Sequence, residues 1–306
     1  VMMVPKGAPV QRTFSASVRT YRGDEPDTPV RLAMGPGIVA TAAPGRLQLT
    51  KTHNEARLLV DATIDPGELT ADAGILVGYR DHSARIRILP VDVSVPAGLR
   101  VGLVRGPEDT TERALADLGV DVTVLEPGTL MTEPLEQFTA LLLDIRANYH
   151  REDLAEMRGR ILEFCRAGGR VVVMYHKPDE WNASDAEPSL APFPFVVGRG
   201  RVTEENAAVT FLQPDHRLLQ HPNAITAADF DGWVQERGLN FPSRWDKAWT
   251  PLLAMKDAGE EEPLLGSLLY TEYGRGDYVY CSLALYRQLR AGNAGAARLL
   301  VNLLAR

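Results

Sequence analysis

Two cysteines in 306 residues, no apolar run near the ~18 residues of a membrane span and no block of lysine and arginine set the first limits on this chain. Cys165 falls in a helical pattern and Cys281 in a strand pattern. Neither has a Cys or His nearby at ligand spacing, so both read as small core residues, and neither a disulfide framework nor a zinc knuckle is expected. A net charge of −7 without a basic cluster argues against a phosphate-backbone partner, which sets nucleic acid aside. Gly98, Gly102 and Gly106 miss the G-x-G-x-x-G spacing, and no G-x-x-x-x-G-K-[ST] occurs. A nucleotide site is therefore rejected, and no cofactor is expected. The turn Met174-Tyr175-His176-Lys177-Pro178 lacks a Ser or Cys between small residues, which excludes an acyl-enzyme nucleophile of the elbow type there. The opening stretch, residues 1–6, is too short and too weakly apolar for an intact secretory signal, and a start at Val1 reads as a fragment of something longer.

What is present is ordinary globular composition, 45% apolar and 24% charged, long enough for two domains. Only 11 of the 33 basic and 10 of the 40 acidic residues precede Pro96, so the acidity lies in the second part. Before that point the texture is short alternating strands, at 13–21, 30–34, 46–50, 56–64, 74–79 and 84–91, broken by turn chemistry such as Gly35-Pro36-Gly37 and Pro66-Gly67. This predicts an immunoglobulin-like β-sandwich over residues 1–95, followed by a short linker at Val95-Pro96-Ala97-Gly98. From Leu99 the pattern changes to β-α-β, with strands at 100–104, 121–125, 140–145 and 170–175 and helices at 110–118 and 151–166. Residues 98–306 are accordingly expected to form a flavodoxin-like α/β domain with a mostly parallel sheet covered on both faces.

Ligands of open α/β sheets usually bind beyond the carboxyl ends of the strands. Those ends carry a polar crescent in which Glu108, Asp144, Arg146, His176 and Glu180 can converge. Read as chemistry, it is a hydrolase site with His176 as general base. Read as structure, it is a hydrogen-bonded rim capping helix ends. No histidine pair has the helical H-x-x-x-H register, and His150, His176, His216 and His221 read more simply as capping or surface residues than as metal ligands. Arg275-Gly276-Asp277 spells an adhesion tripeptide but reads as a hairpin turn between strands.

The most distinctive stretch is Asp229 to Pro251, DFDGWVQERGLNFPSRWDKAWTP, with three of the four tryptophans in what reads as a loop. Trp181, Trp233, Trp245 and Trp249, with Arg237, Asp246 and Asn182, are candidates for a sugar-stacking surface. The alternative is a set of apolar anchors that order a long loop or fill a domain or subunit interface.

This segment, with Tyr273-Gly274-Arg275-Gly276-Asp277-Tyr278-Val279-Tyr280, Leu283-Ala284-Leu285-Tyr286-Arg287-Gln288-Leu289, Gln213-Pro214-Asp215-His216 and Ile145-Arg146-Ala147, resembles the carboxyl-terminal region of large bacterial PIG-L-type (LmbE-related) proteins, relatives of N-acetylglucosaminyl-phosphatidylinositol de-N-acetylase. The resemblance implies a zinc-dependent deacetylase domain upstream, then an immunoglobulin-like segment. It also implies a last domain similar to class I glutamine amidotransferases and to the trimerisation domain of β-galactosidases. The family's A-H-P-D-D metal signature is absent, and His176 to Glu180 reads H-K-P-D-E, so no zinc ligands carry over. The resemblance thus implies an accessory region that is not itself an enzyme, exported to the periplasm or beyond. Its expected partners are an amino-sugar glycan, an upstream deacetylase domain or a second copy of the chain.

Overall fold

The computed structural model describes residues 1–21, 23–182 and 189–306. They divide into two units, Val1–Asp92 and Val93–Arg306.

The first unit is all β: β1 (Met2–Pro5), β2 (Val10–Arg19), β3 (Thr28–Met34), β4 (Ile38–Ala43), β5 (Arg46–Leu47), β6 (Glu55–Ile64), β7 (Gly74–Tyr79) and β8 (His82–Val91). One sheet has the order β1-β8-β7-β3-β5 and the other β2-β6-β4, and they enclose a shared core. Period-two patterning builds this core. In β6, Leu58, Val60, Ala62 and Ile64 point inward while Leu59, Asp61 and Thr63 point out, and Ile75 and Ile88 meet them from the opposite sheet. Two strands escaped the sequence reading. Strand β1 is only four residues long and pairs parallel with β8, and β4 is rich in alanine, a weak strand former, yet pairs over its whole length with β6, from Ile38↔Ile64 to Ala43↔Leu59.

The second unit runs β9 (Arg100–Val104), α1 (Thr110–Asp117), β10 (Asp121–Val124), α2 (Thr129–Thr132), β11 (Ala140–Leu143), α3 (Ala147–His150), α4 (Leu154–Arg166), β12 (Arg170–Met174) and α5 (Pro178–Trp181). It continues with β13 (Phe195–Val202), β14 (Val209–Phe211), α6 (Arg217–Gln220), β15 (Gly238–Trp245), β16 (Thr250–Pro251), β17 (Leu253–Met255), β18 (Leu268–Tyr273), β19 (Gly276–Cys281), α7 (Leu285–Ala291) and α8 (Ala294–Leu304). The central sheet has the order β10-β9-β11-β12-β19-β18-β16, parallel as far as β19 and antiparallel beyond it. The strand order reverses between β9 and β11, the position where a crevice opens in sheets of this kind. Continuous apolar runs such as Leu141-Leu142-Leu143 and Val171-Val172-Val173 are fully buried, as strands covered on both faces require. Helix α8 is apolar almost all round and correspondingly buried. Its Asn302 lies wholly inside, where its amide group donates to Leu218 O and Asn223 O (3.0 and 2.7 Å) and accepts from the Asn223 backbone N–H at 3.0 Å.

One correction concerns residues 229–251. Gly238–Trp245 is not loop but strand β15, paired antiparallel with β13 through a register broken by bulges on either side of Val197. Pro242, which removes a ladder donor, hides this strand from pattern reading. At 275–277 the hairpin reading agrees with the structure: Tyr273 pairs with Gly276, so Gly274 and Arg275 form the turn.

Candidate functional site

The turns after β9, β11 and β12 bring the crescent together. Gly106 makes this possible, because a Cβ there would stand 2.0 Å from the Ile145 carbonyl oxygen. Arg105 donates through Nε and Nη2 to Glu112 Oε2 at 2.8 and 2.6 Å, and Glu108 pairs with Arg290 of α7. Asp144, almost wholly buried, accepts from the Thr111 hydroxyl at 3.0 Å and from the Ile145 N–H at 2.8 Å. Burial pushes its carboxyl up to about 7, and Glu108 and Glu112 add to the rise, while those two hydrogen bonds pull the other way.

Arg146 adopts a left-handed backbone, φ 52°, directly after Asp144 and Ile145. From there its N–H donates to the Tyr175 carbonyl at 3.0 Å, and its guanidinium reaches Glu180 Oε1 from Nε and Nη2 at 2.8 and 2.5 Å. The other Glu180 oxygen accepts the Lys177 N–H at 2.9 Å, the capping contact of α5. His176 sits beneath, fully buried. Its Nδ1–H donates to the Met174 carbonyl at 2.8 Å, and its Nε2 accepts the Asn148 N–H at 3.0 Å. These partners fix the tautomer and leave neither ring nitrogen open. Burial pushes its pKa down to about 4, against smaller opposing effects from the Met174 carbonyl and Glu180.

Asp144, Arg146, His176 and Glu180 therefore do converge, but each is engaged by a neighbour of its own unit. These contacts stand against the alternative reading of His176 as a general base. His176 has no lone pair facing an approachable water and does not accept a proton near neutrality.

The tryptophans are likewise held by neighbours of their own unit. Trp181 is 2% exposed, stacked on Phe195 at 5.2 Å and flanked by His176 and Tyr280. Trp233 is 3% exposed, donates to the Asp229 carbonyl at 2.9 Å and lies against Phe230. Arg237, buried beside them, donates from Nε to the Ala207 carbonyl at 3.0 Å and also to the Phe230 carbonyl, with its guanidinium over the Phe230 and Trp233 rings. Trp249 donates to the Phe193 carbonyl at 3.2 Å, and half-buried Trp245 packs against the main core. Asn182 spans Val197 with both amide atoms, and Asp246 accepts from the Ala248 N–H. A sugar ring cannot stack on the faces of Trp181 or Trp233 without opening the core. His216 caps α6 by accepting the Leu218 N–H at 3.2 Å, and His150 and His221 are exposed. Among the described residues no group of three or more His, Cys, Asp or Glu is arranged to hold a metal ion, and no helix is long and apolar enough to cross a membrane.

Thr111, Glu112 and Asn148, which complete these networks, were not picked out from sequence. Thr111 carried a signal, because a strand-end carboxylate beside a helix start needs a hydroxyl or N–H donor.

No protein-family model matches the chain, and no curated protein matches it. Solved structures give distant and partial likenesses. A β-galactosidase from Rahnella sp. R3 is 16% identical with a TM-score of 0.39, covering 67% of this chain and 31% of that one. A β-galactosidase from Bacillus circulans sp. alkalophilus is 10% identical with a TM-score of 0.35, covering 66% and 31%. A cytoplasmic protein from Salmonella typhimurium LT2 is 12% identical with a TM-score of 0.42, covering 75% and 92%. The chain thus spans about a third of the length of the β-galactosidases it is similar to.

Proposed function

We propose that this chain is the accessory, non-catalytic region of a larger PIG-L-type de-N-acetylase. In this reading the first unit is an immunoglobulin-like spacer. The second is a degenerate, flavodoxin-like relative of the class I glutamine amidotransferases that serves as an assembly scaffold for the deacetylase. The observation that carries it is the closure of the crescent: His176, the natural general base of the site, holds its Nε2 against the Asn148 N–H and its Nδ1–H against the Met174 carbonyl in a fully buried position. A site that turns over substrate needs at least one such group facing solvent or ligand. Burial of the indoles supports assembly over glycan stacking within the same reading.

The test is a turnover screen of the chain against aryl esters, amides and N-acetylated amino sugars, with His176→Gln as the matched variant. The reading expects no saturable turnover by either protein. Turnover by the parent that disappears in His176→Gln would restore the hydrolase.

A further inference from the structure

The opposite edge of the central sheet, where β9, β11, β12 and β19 begin, carries a cavity of about 940 Å³, within the range of small-ligand sites. Buried Leu135, Phe138 and Phe164 contribute its apolar wall, and Gly169 lies against Phe164 so closely that a Cβ there would stand 2.2 Å from the ring. Four arginines line it: Arg100, Arg160, Arg275 and Arg306. The lining carboxylates are Glu136 and Glu163, and Glu163 is already held by Arg166 through both oxygens at 2.8 Å. Four positive against two negative side chains is a net +2 in a chain of net −7.

Each guanidinium is oriented by carbonyl groups. Arg100 donates from Nε to Gln137 O, Arg160 to Met131 O and Glu133 O, and Arg275 from Nη2 to Ala167 O at 2.7 Å. Arg306 reaches Gly168 O and Arg275 O and lies 3.4 Å from Asp277, a carboxylate already paired with Arg170. Among the described residues, Arg100, Arg160 and Arg275 have no carboxylate within ion-pair distance. A guanidinium has five N–H donors, and capping a helix end uses one or two of them. Capping therefore accounts for neither the convergence of these groups on one cavity nor their missing counter-charges. Positive charge in a concave, partly apolar site focuses the field on its interior, and the planar fork matches carboxylate and phosphate oxygens.

We propose that this cavity binds a small polyanion carrying two or more carboxylate or phosphate groups. The site is independent of the scaffold reading and lies away from the crescent. The test is calorimetric titration of the whole chain at low ionic strength with inorganic pyrophosphate and, separately, citrate. The matched protein is the double variant Arg100→Gln/Arg275→Gln, whose exposed side chains can be shortened with little disturbance to the core. The expected result is saturable binding of at least one anion by the parent, at least tenfold weaker in the double variant and weakened by added salt. Pyrophosphate alone would assign phosphate, and citrate alone carboxylate. In the parent the arginine Nε–H resonances should shift along the same titration, a readout that needs no variant. Absence of saturable binding of both anions, or equal binding by parent and variant, would overturn the site.

Discussion

At the carboxyl ends of the parallel strands Asp144, His176 and Glu180 are each claimed by a neighbour, whereas at the amino ends Arg100, Arg160 and Arg275 line a cavity without a carboxylate partner among the described residues. The first edge is where α/β sheets usually bind ligands, and here its polar groups have become internal structure. The second is usually structural, and here it holds uncompensated charge. A polar cluster at a strand end is thus no guide to function until its donors and acceptors have been paired off. What remains after the pairing is the candidate site.

The sharpest way to break the comparison is to remove what fills the first edge. Trp181→Ala should cost about 3–5 kcal/mol, measured by denaturant unfolding, because the indole is core for Phe195, Tyr280 and His176. If Trp181 were instead a ligand platform, stability would hardly change. At the second edge, Arg170 and Asp277 form a buried pair 2.7 Å apart that ties the starts of β12 and β19 together beside the arginine cavity. Arg170→Ala should cost about 3–5 kcal/mol by removing the closest partner of Asp277, which keeps only Arg306 at 3.4 Å and the Tyr270 hydroxyl among the described residues. A loss under about 1 kcal/mol would mean that water already screens the pair.

Smaller effects follow from pH. The raised carboxyl of Asp144 gives stability that is present below about pH 4 and lost as pH rises through about 7, because the unfolded chain ionises first. Asp144→Asn can still accept from Thr111, so it should gain about 1–2 kcal/mol at pH 8 and nothing near pH 4. Equal effects at both pH values would show that Asp144 is not protonated in the fold. The depressed His176 acts with the opposite sign, removing up to about 3 kcal/mol as pH falls from 6.5 to 4, since the unfolded chain takes up the proton first. The smallest effect is Arg113→Ala. It breaks an exposed pair with Asp109 on the crescent side and should change stability by less than about 0.5 kcal/mol.

Much of the architecture was legible because periodicity reports burial. Val171-Val172-Val173, short, β-branched and preceded by Gly168-Gly169, reads as a strand covered on both faces, and β6 shows the alternation of a half-buried strand. Strand β15 was not legible, since Pro242 and bulged pairing with a strand about 40 residues earlier break any local signal. At the crescent the residue types were readable but their state was not: whether His176 is a base or a buried acceptor depends on Asn148, 28 residues away in sequence. The arginine cavity left one faint trace. Arg100 and Arg170 open their strands and Arg275 immediately precedes β19, which places all three at one edge of a parallel sheet. Arg160, on α4, left none.

The proposal that the crescent is closed and not catalytic rests on His176. Long-range ¹H–¹⁵N correlation of its ring from pH 8 down to pH 5 tests it most directly. The account predicts one Nδ1–H tautomer with an unprotonated Nε2 throughout, because both nitrogens are held and the pKa lies near 4. Titration of the ring near pH 6.5 would contradict it and reopen the crescent as an active site.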